Sequence, residues 1–85
     1  MNLVKQNFTF DFVKCLIERY GYDIQKPYRK IAEELKVISH STVQHHILKL
    51  ERMGIITIEN KGSKTQILHI SANKLNEAVK IWQQD

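Results

Sequence analysis

Ser39-His40-Ser41-Thr42-Val43-Gln44-His45-His46-Ile47-Leu48-Lys49-Leu50-Glu51-Arg52-Met53-Gly54 is the stretch on which the rest of the chain turns. Val43, Ile47 and Leu50 recur at helical spacing, and at about 100° per residue they gather within roughly 60° of a helical wheel. That cluster is the face to be buried. The opposite half carries Ser41, Gln44, His45, Leu48, Lys49 and Arg52, with Thr42 and His46 at its borders. Ser39 and Ser41 are both good N-caps, and Ser41-Thr42-Val43-Gln44 reads as a Ser-x-x-Gln capping box, so a helix over 39–53 is expected. Gly54 ends it, because a residue without a Cβ enters the left-handed cap at little cost.

Upstream, Val37 and Ile38 form an apolar corner, and a short helix is expected over 27–36 with Pro27 in its first turn. Ile31, Ala32 and Leu35 face inward on it, and Arg29, Lys30, Glu33 and Glu34 outward. A first helix over 7–20 carries Phe8, Phe12, Cys15, Leu16 and Tyr20 on one side, extended by Phe10, Val13 and Ile17. Its apolar arc is about 220°, wider than one core requires, so a further covering surface is expected. Cys15, the only cysteine, is read as a buried structural thiol. Gly21 closes this helix and Tyr22 to Lys26 form a polar link. Downstream, Ile55-Ile56-Thr57-Ile58-Glu59 and Gln66-Ile67-Leu68-His69-Ile70 are rich in β-branched residues around the turn cluster Asn60 to Lys64, which predicts a β-hairpin over 55–70. Ser71 or Asn73 caps a last helix over 73–83, with Leu75, Ala78, Val79 and Trp82 as its apolar stripe.

An 85-residue chain with 42% hydrophobic content supports a single domain with one modest core and no enclosed catalytic cleft. No apolar run approaches the roughly 18 residues of a membrane span, and Met1 to Asn7 lacks the charged-then-apolar order of a signal peptide. A cytoplasmic protein of a prokaryotic cell, or of a virus within one, is expected. The net charge of +4 is unevenly placed. Lys26, Arg29, Lys30, Lys36, Lys49, Arg52, Lys61 and Lys64 face only Glu33, Glu34, Glu51 and Glu59 across the middle of the chain, while the flanks are balanced. The excess therefore lies where a polyanion would be met.

Helix, helix, tight corner, helix and basic hairpin is the layout of a winged helix-turn-helix, mainly α with a small β-hairpin (α+β): three helices, a wing and a C-terminal helix. A helix fits the major groove of double-stranded DNA and presents side chains to base edges, while the helix before it directs its amino end at a phosphate. On this reading Gln44 pairs bidentately with adenine and His45 donates to guanine. Ser39, His40, Ser41 and Thr42 lie at the helix start within reach of base or backbone, and Lys49 suits phosphate. Lys61, Ser63 and Lys64 give the hairpin a basic tip around Gly62, and Arg29 and Lys30 stand in the first turn of the second helix. Cations are disfavoured there by the helix dipole, which hints at a phosphate partner. The histidines offer no i, i+4 pair, and Glu33 and Glu34 diverge, so no metal, cofactor or enzymatic activity is expected.

Ile31-Ala32-Glu33-Glu34-Leu35, followed by the run from Ser39 to Ile56, resembles the DNA-binding domain of LexA-type repressors. The pattern Ser-Thr-Val-x-x-His-hydrophobic-x-x-Leu-Glu-x-x-Gly-hydrophobic-Ile carries the likeness, over roughly Phe12 to Ile70. The resemblance implies that Ser39, Ser41, Thr42, Gln44 and His45 lie at or near DNA. Nothing in these residues resembles the self-cleaving peptidase part of such repressors, so neither its cleavage nor its dimerisation is expected. The ends are more loosely similar to small MarR-like or archaeal and viral winged-helix regulators, which dimerise through terminal helices. A homodimer through Phe10, Val13, Ile17, Leu75, Val79 and Trp82 is therefore expected, against the alternative that the last helix packs on the first within one chain. The leading expectation is a sequence-specific transcription regulator, a repressor. Replication or plasmid maintenance, and a protein-interaction winged helix without DNA, remain as alternatives.

Overall fold

The computed structural model describes residues 8–36 and 39–84. Its elements run α1 (Phe8–Tyr20), β1 (Asp23–Ile24), α2 (Tyr28–Leu35), α3 (His40–Arg52), β2 (Ile56–Glu59), β3 (Ile67–Ile70) and α4 (Ala72–Gln84). This is a winged helix-turn-helix of the α+β class. The Val37-Ile38 corner and the expected start of the first helix at Asn7 lie outside the described residues.

α2, α3 and the two hairpin strands bury the stripe that their own period selects. Val13 and Leu16 of α1, Ile31 of α2 and Val43, Ile47 and Leu50 of α3 are fully enclosed. In the sheet, Ile56 pairs with Ile70 and Ile58 with Leu68 across the inner face, while Thr57 opposite His69 and Glu59 opposite Ile67 take the outer one. The hairpin is part of a three-stranded sheet in the order β1-β3-β2. Its third strand occupies the segment read as a polar link: Ile24 stands opposite Leu68 and is buried, and Asp23 stands opposite His69. Two residues are too few to show a period, but the Ile70 amide donating to the Tyr22 carbonyl at 2.8 Å confirms the pairing.

Several side chains depart from the reading above. Cys15 is exposed, on the stripe of α1 that also bears Phe8, Asp11, Glu18 and Arg19. The buried stripe is Thr9, Phe10, Phe12, Val13 and Leu16. The arc counted as apolar thus spans two faces of the helix, one of them wet. Pro27 is the N-cap of α2 rather than part of its first turn, and Lys36 follows the helix in the left-handed conformation at φ 58°. Glu34 does not face solvent freely. It accepts the Tyr20 hydroxyl, with Lys26 Nζ at 3.4 Å and Arg19 Nε at 3.6 Å, so it ties the end of α1 to α2. The Tyr20 hydroxyl, followed by these cations, holds the Glu34 carboxyl below its ordinary range.

The covering surface sought for α1 is supplied by α4. Ser71 caps α4 through the Lys74 amide at 3.2 Å, Leu75 is buried, and Trp82 meets the Phe10 ring edge-on with centroids 5.5 Å apart. Phe10, Val13 and Leu75 are therefore interior to one chain and closed to a second, while Ile17, Val79 and Trp82 are half-buried against the same core. On these two helices Phe8 stays 73% and Ile81 65% exposed.

On the outer face of the sheet, His69 joins all three strands. Its Nδ1 lies 2.7 Å from Asp23 Oδ1 and its Nε2 2.8 Å from Glu59 Oε1, an arrangement completed only when both nitrogens carry protons. The Asp23 and then the Glu59 hydrogen bonds raise its pKa above the ordinary 6.5. Below 6.5 both folded and unfolded chains hold the proton and the staple contributes fully; the contribution fades as pH rises through the higher folded value. Thermal melts of wild type and His69→Gln should accordingly differ more at about pH 5.5 than at about pH 9. Equal differences at both ends would show that the imidazolium adds nothing.

Candidate nucleic-acid interface

The amino end of α3 is fastened by Ser39. Its backbone is extended, its Oγ accepts the Thr42 amide at 3.3 Å, and the same oxygen lies 3.3 Å from Thr42 Oγ1. Ser41 is consequently inside the helix with its hydroxyl outward, not the cap of a Ser-x-x-Gln box. At the other end, the Gly54 and Ile55 amides donate to the Glu51 and Leu50 carbonyls, each at 3.0 Å. Gly54 takes φ +80°, and this closure swings the chain directly into buried Ile55 and Ile56. A helix clamped at both ends and seated on Val43, Ile47 and Leu50 presents a defined outer face. His40, Ser41, Gln44, His45, Lys49 and Arg52 are exposed on it, and Leu48 is half-buried.

A second attachment comes from α1. His46 Nδ1 and Thr9 Oγ1 share a 3.1 Å hydrogen bond, and the His46 ring stacks on Phe12 with centroids 5.0 Å apart. Burial, then the electrostatic influence of His45 and Lys49, push the His46 pKa below the ordinary 6.5, which favours the neutral ring in this packing. His45 stands edge-on to it at 5.8 Å, so a half-buried histidine backs an exposed one. The sequence hinted at this only through the border position of His46, because Thr9 lies 37 residues away.

Two cationic segments flank α3. Arg29 and Lys30 are exposed in the first turn of α2, and Lys30 lies 3.8 Å from Glu33. The turn between β2 and β3 is folded on itself: Gln66 Oε1 accepts the Gly62 amide, and the Ser63 hydroxyl donates to the Asn60 carbonyl, both at 2.8 Å. Ser63 thus shapes the turn. Lys64 is exposed and, among the described residues, has no carboxylate partner, whereas Lys61 Nζ sits 2.8 Å from Glu51 Oε1. A cleft of 380 Å³ separates Lys26, Pro27 and Tyr28 from Gly62, Ser63 and Lys64. The wing turn therefore borders both the start of α2 and, through Lys61, the end of α3.

With that geometry in place, the family comparison is direct: the model of the LexA DNA binding domain matches residues 4–65. The chain belongs to this family. It is a DNA-binding domain. The LexA-type match takes in α1, β1, α2, α3, β2 and the wing turn as far as Thr65, and leaves β3 and α4 beyond it. No curated protein and no solved structure matches the chain. Among the described residues of this LexA-type domain, no helix is long and apolar enough to cross a membrane, and no group of His, Cys, Asp and Glu is placed to hold a metal ion. Sequence reasoning passed over Thr9 and took Glu51 and Lys26 only as charges, without the contacts they make. Each acts through a partner distant in sequence, and no local pattern marks them.

Proposed function

We propose that this LexA-type domain is a sequence-specific regulator of transcription, a repressor, that binds double-stranded DNA with α3 in the major groove. The wing turn then lies on the adjacent backbone or minor groove. One observation carries the reading: α3 is seated by fully buried Val43, Ile47 and Leu50 while Gln44, His45 and Lys49 stand exposed around the rest of the helix. These side chains match the work required, since an amide reads adenine, an imidazole donates to guanine and an ammonium meets phosphate. Arg29, Lys30, Lys61 and Lys64 add sequence-independent attraction.

Two such domains on one duplex would place two α3 helices in half-sites about one DNA turn apart. Exposed Phe8 on α1 and Ile81 on α4 support a homodimer, as apolar surface that the chain itself leaves uncovered. Half-buried Ile17 and Val79 would contribute only their outer edges. Selection of bound duplexes from a random pool tests both parts. A recurring motif is expected, palindromic if the dimer binds. A pool that never converges would sink sequence specificity, and light scattering that gives a monomer mass with and without DNA would sink the dimer.

A further inference from the structure

We propose that Glu51 is a positioning residue of the DNA interface, holding the wing cation Lys61 as an internal counter-charge and so tempering the attraction of the domain for any duplex. The inference rests on the DNA-binding reading above and adds a residue to it. Glu51 is the sole acid of α3, whose sequence is HSTVQHHILKLER. It stands in the last turn, where the helix dipole disfavours a carboxylate and favours Lys49 and Arg52. Its side chain has no part in closing the helix, because the Gly54 amide uses the Glu51 backbone carbonyl.

The carboxylate reaches instead across to the wing, where Oε1 meets Lys61 Nζ at 2.8 Å. The wing turn does not need this contact to keep its shape, since the Gly62–Gln66 and Ser63–Asn60 hydrogen bonds close it from within. With side chains 54% and 31% exposed, the pair is a surface ion pair and contributes little to folding. Its effect on a polyanion is larger. A cation already neutralised releases fewer counterions from DNA than Lys64, which has no carboxylate partner among the described residues. Electrostatic attraction to duplex is blind to sequence, so weakening it leaves base contacts to decide where the domain rests.

The test is fluorescence anisotropy at several salt concentrations, on a random duplex and on the duplex chosen by selection, with wild type, Glu51→Gln, Glu51→Asp, Lys61→Gln and the Glu51→Gln, Lys61→Gln double variant. Thermal melts should show all of them folded. Glu51→Gln should bind both duplexes about two- to eightfold more tightly at about 0.1 M salt, with the logarithmic salt slope steeper by about 0.9. Glu51→Asp, which keeps the charge, should retain the wild-type slope. In the Lys61→Gln background the gain from Glu51→Gln should shrink. Duplex binding with an unchanged or shallower slope for Glu51→Gln would overturn the counter-charge, and an undiminished gain without Lys61 would overturn its action through that lysine. Failure of wild type to bind either duplex would instead overturn the DNA-binding reading itself.

Discussion

Ile47→Ala is expected to cost about 2–5 kcal/mol of stability, a large part of what a domain of this size has. Ile47 is fully excluded from solvent at the middle of α3, between Val43 and Leu50, where it packs into the shared core of helices and sheet. Truncation removes buried carbon and leaves a cavity, because α3 is held at both ends by Ser39 and by the Gly54 closure and cannot slide to fill it. Ile47→Val, which removes one methyl, should cost about 0.5–1.5 kcal/mol. Gln44→Ala, at an exposed position of the same helix, should stay within about 0.5 kcal/mol. Urea midpoints of the three variants check this order. A midpoint for Ile47→Ala equal to that of wild type would mean that α3 is not seated on this face.

The same contrast separates scaffold from site. Loss of Ile47 should weaken DNA binding only through the folded fraction, so affinity should recover where cooling restores the fold. The His46 contacts make the second anchor of α3, through Thr9 and Phe12. Because burial lowers the His46 pKa, this anchor contributes fully above the ordinary 6.5 and is lost as pH falls through the lower folded value, opposite in sign to the His69 staple. One histidine therefore fastens α3 most firmly in mild alkali, and the other fastens the sheet most firmly in mild acid.

What could be read from the sequence followed from period and punctuation. Val43, Ile47 and Leu50 announce the seat of α3, and Gly54 its end, because both signals are local and repeat within a few residues. The first helix shows where this fails. Phe8 and Cys15 are apolar, yet they share a stripe with Asp11 and Glu18 and are exposed, whereas Thr9 is polar and buried against His46. Summing apolar residues around the wheel hid a wet stripe within a wide arc, and from that arc came the expectation that Phe10 and Val13 awaited a second chain. The pairs Asp23 with His69 and Glu51 with Lys61 depend on strand register and on where the wing turn comes to rest. Neither is encoded in a short window.

Gln44→Ala and His45→Ala should each lose about 1–3 kcal/mol of affinity for the selected duplex and almost nothing for a random one, if α3 reads bases as proposed. Both side chains are exposed on a helix whose Val43, Ile47 and Leu50 are fully buried, so their reach into a groove is set by the seat of α3 rather than by a loop. His45 is further constrained from behind by the His46 ring at 5.8 Å, itself stacked on Phe12. An amide or imidazole held this way gains from a matched base edge, and on mismatched sequence it returns to water at little cost. Lys64→Ala should behave differently, weakening both duplexes alike and flattening the salt slope by about one unit, since an ammonium on phosphate does not distinguish sequences. The two signatures are separable in one set of anisotropy titrations. Equal losses on both duplexes for Gln44→Ala and His45→Ala would move these residues from base edges to the backbone, and the reading face of α3 would then have to lie nearer its start, at His40 and Ser41.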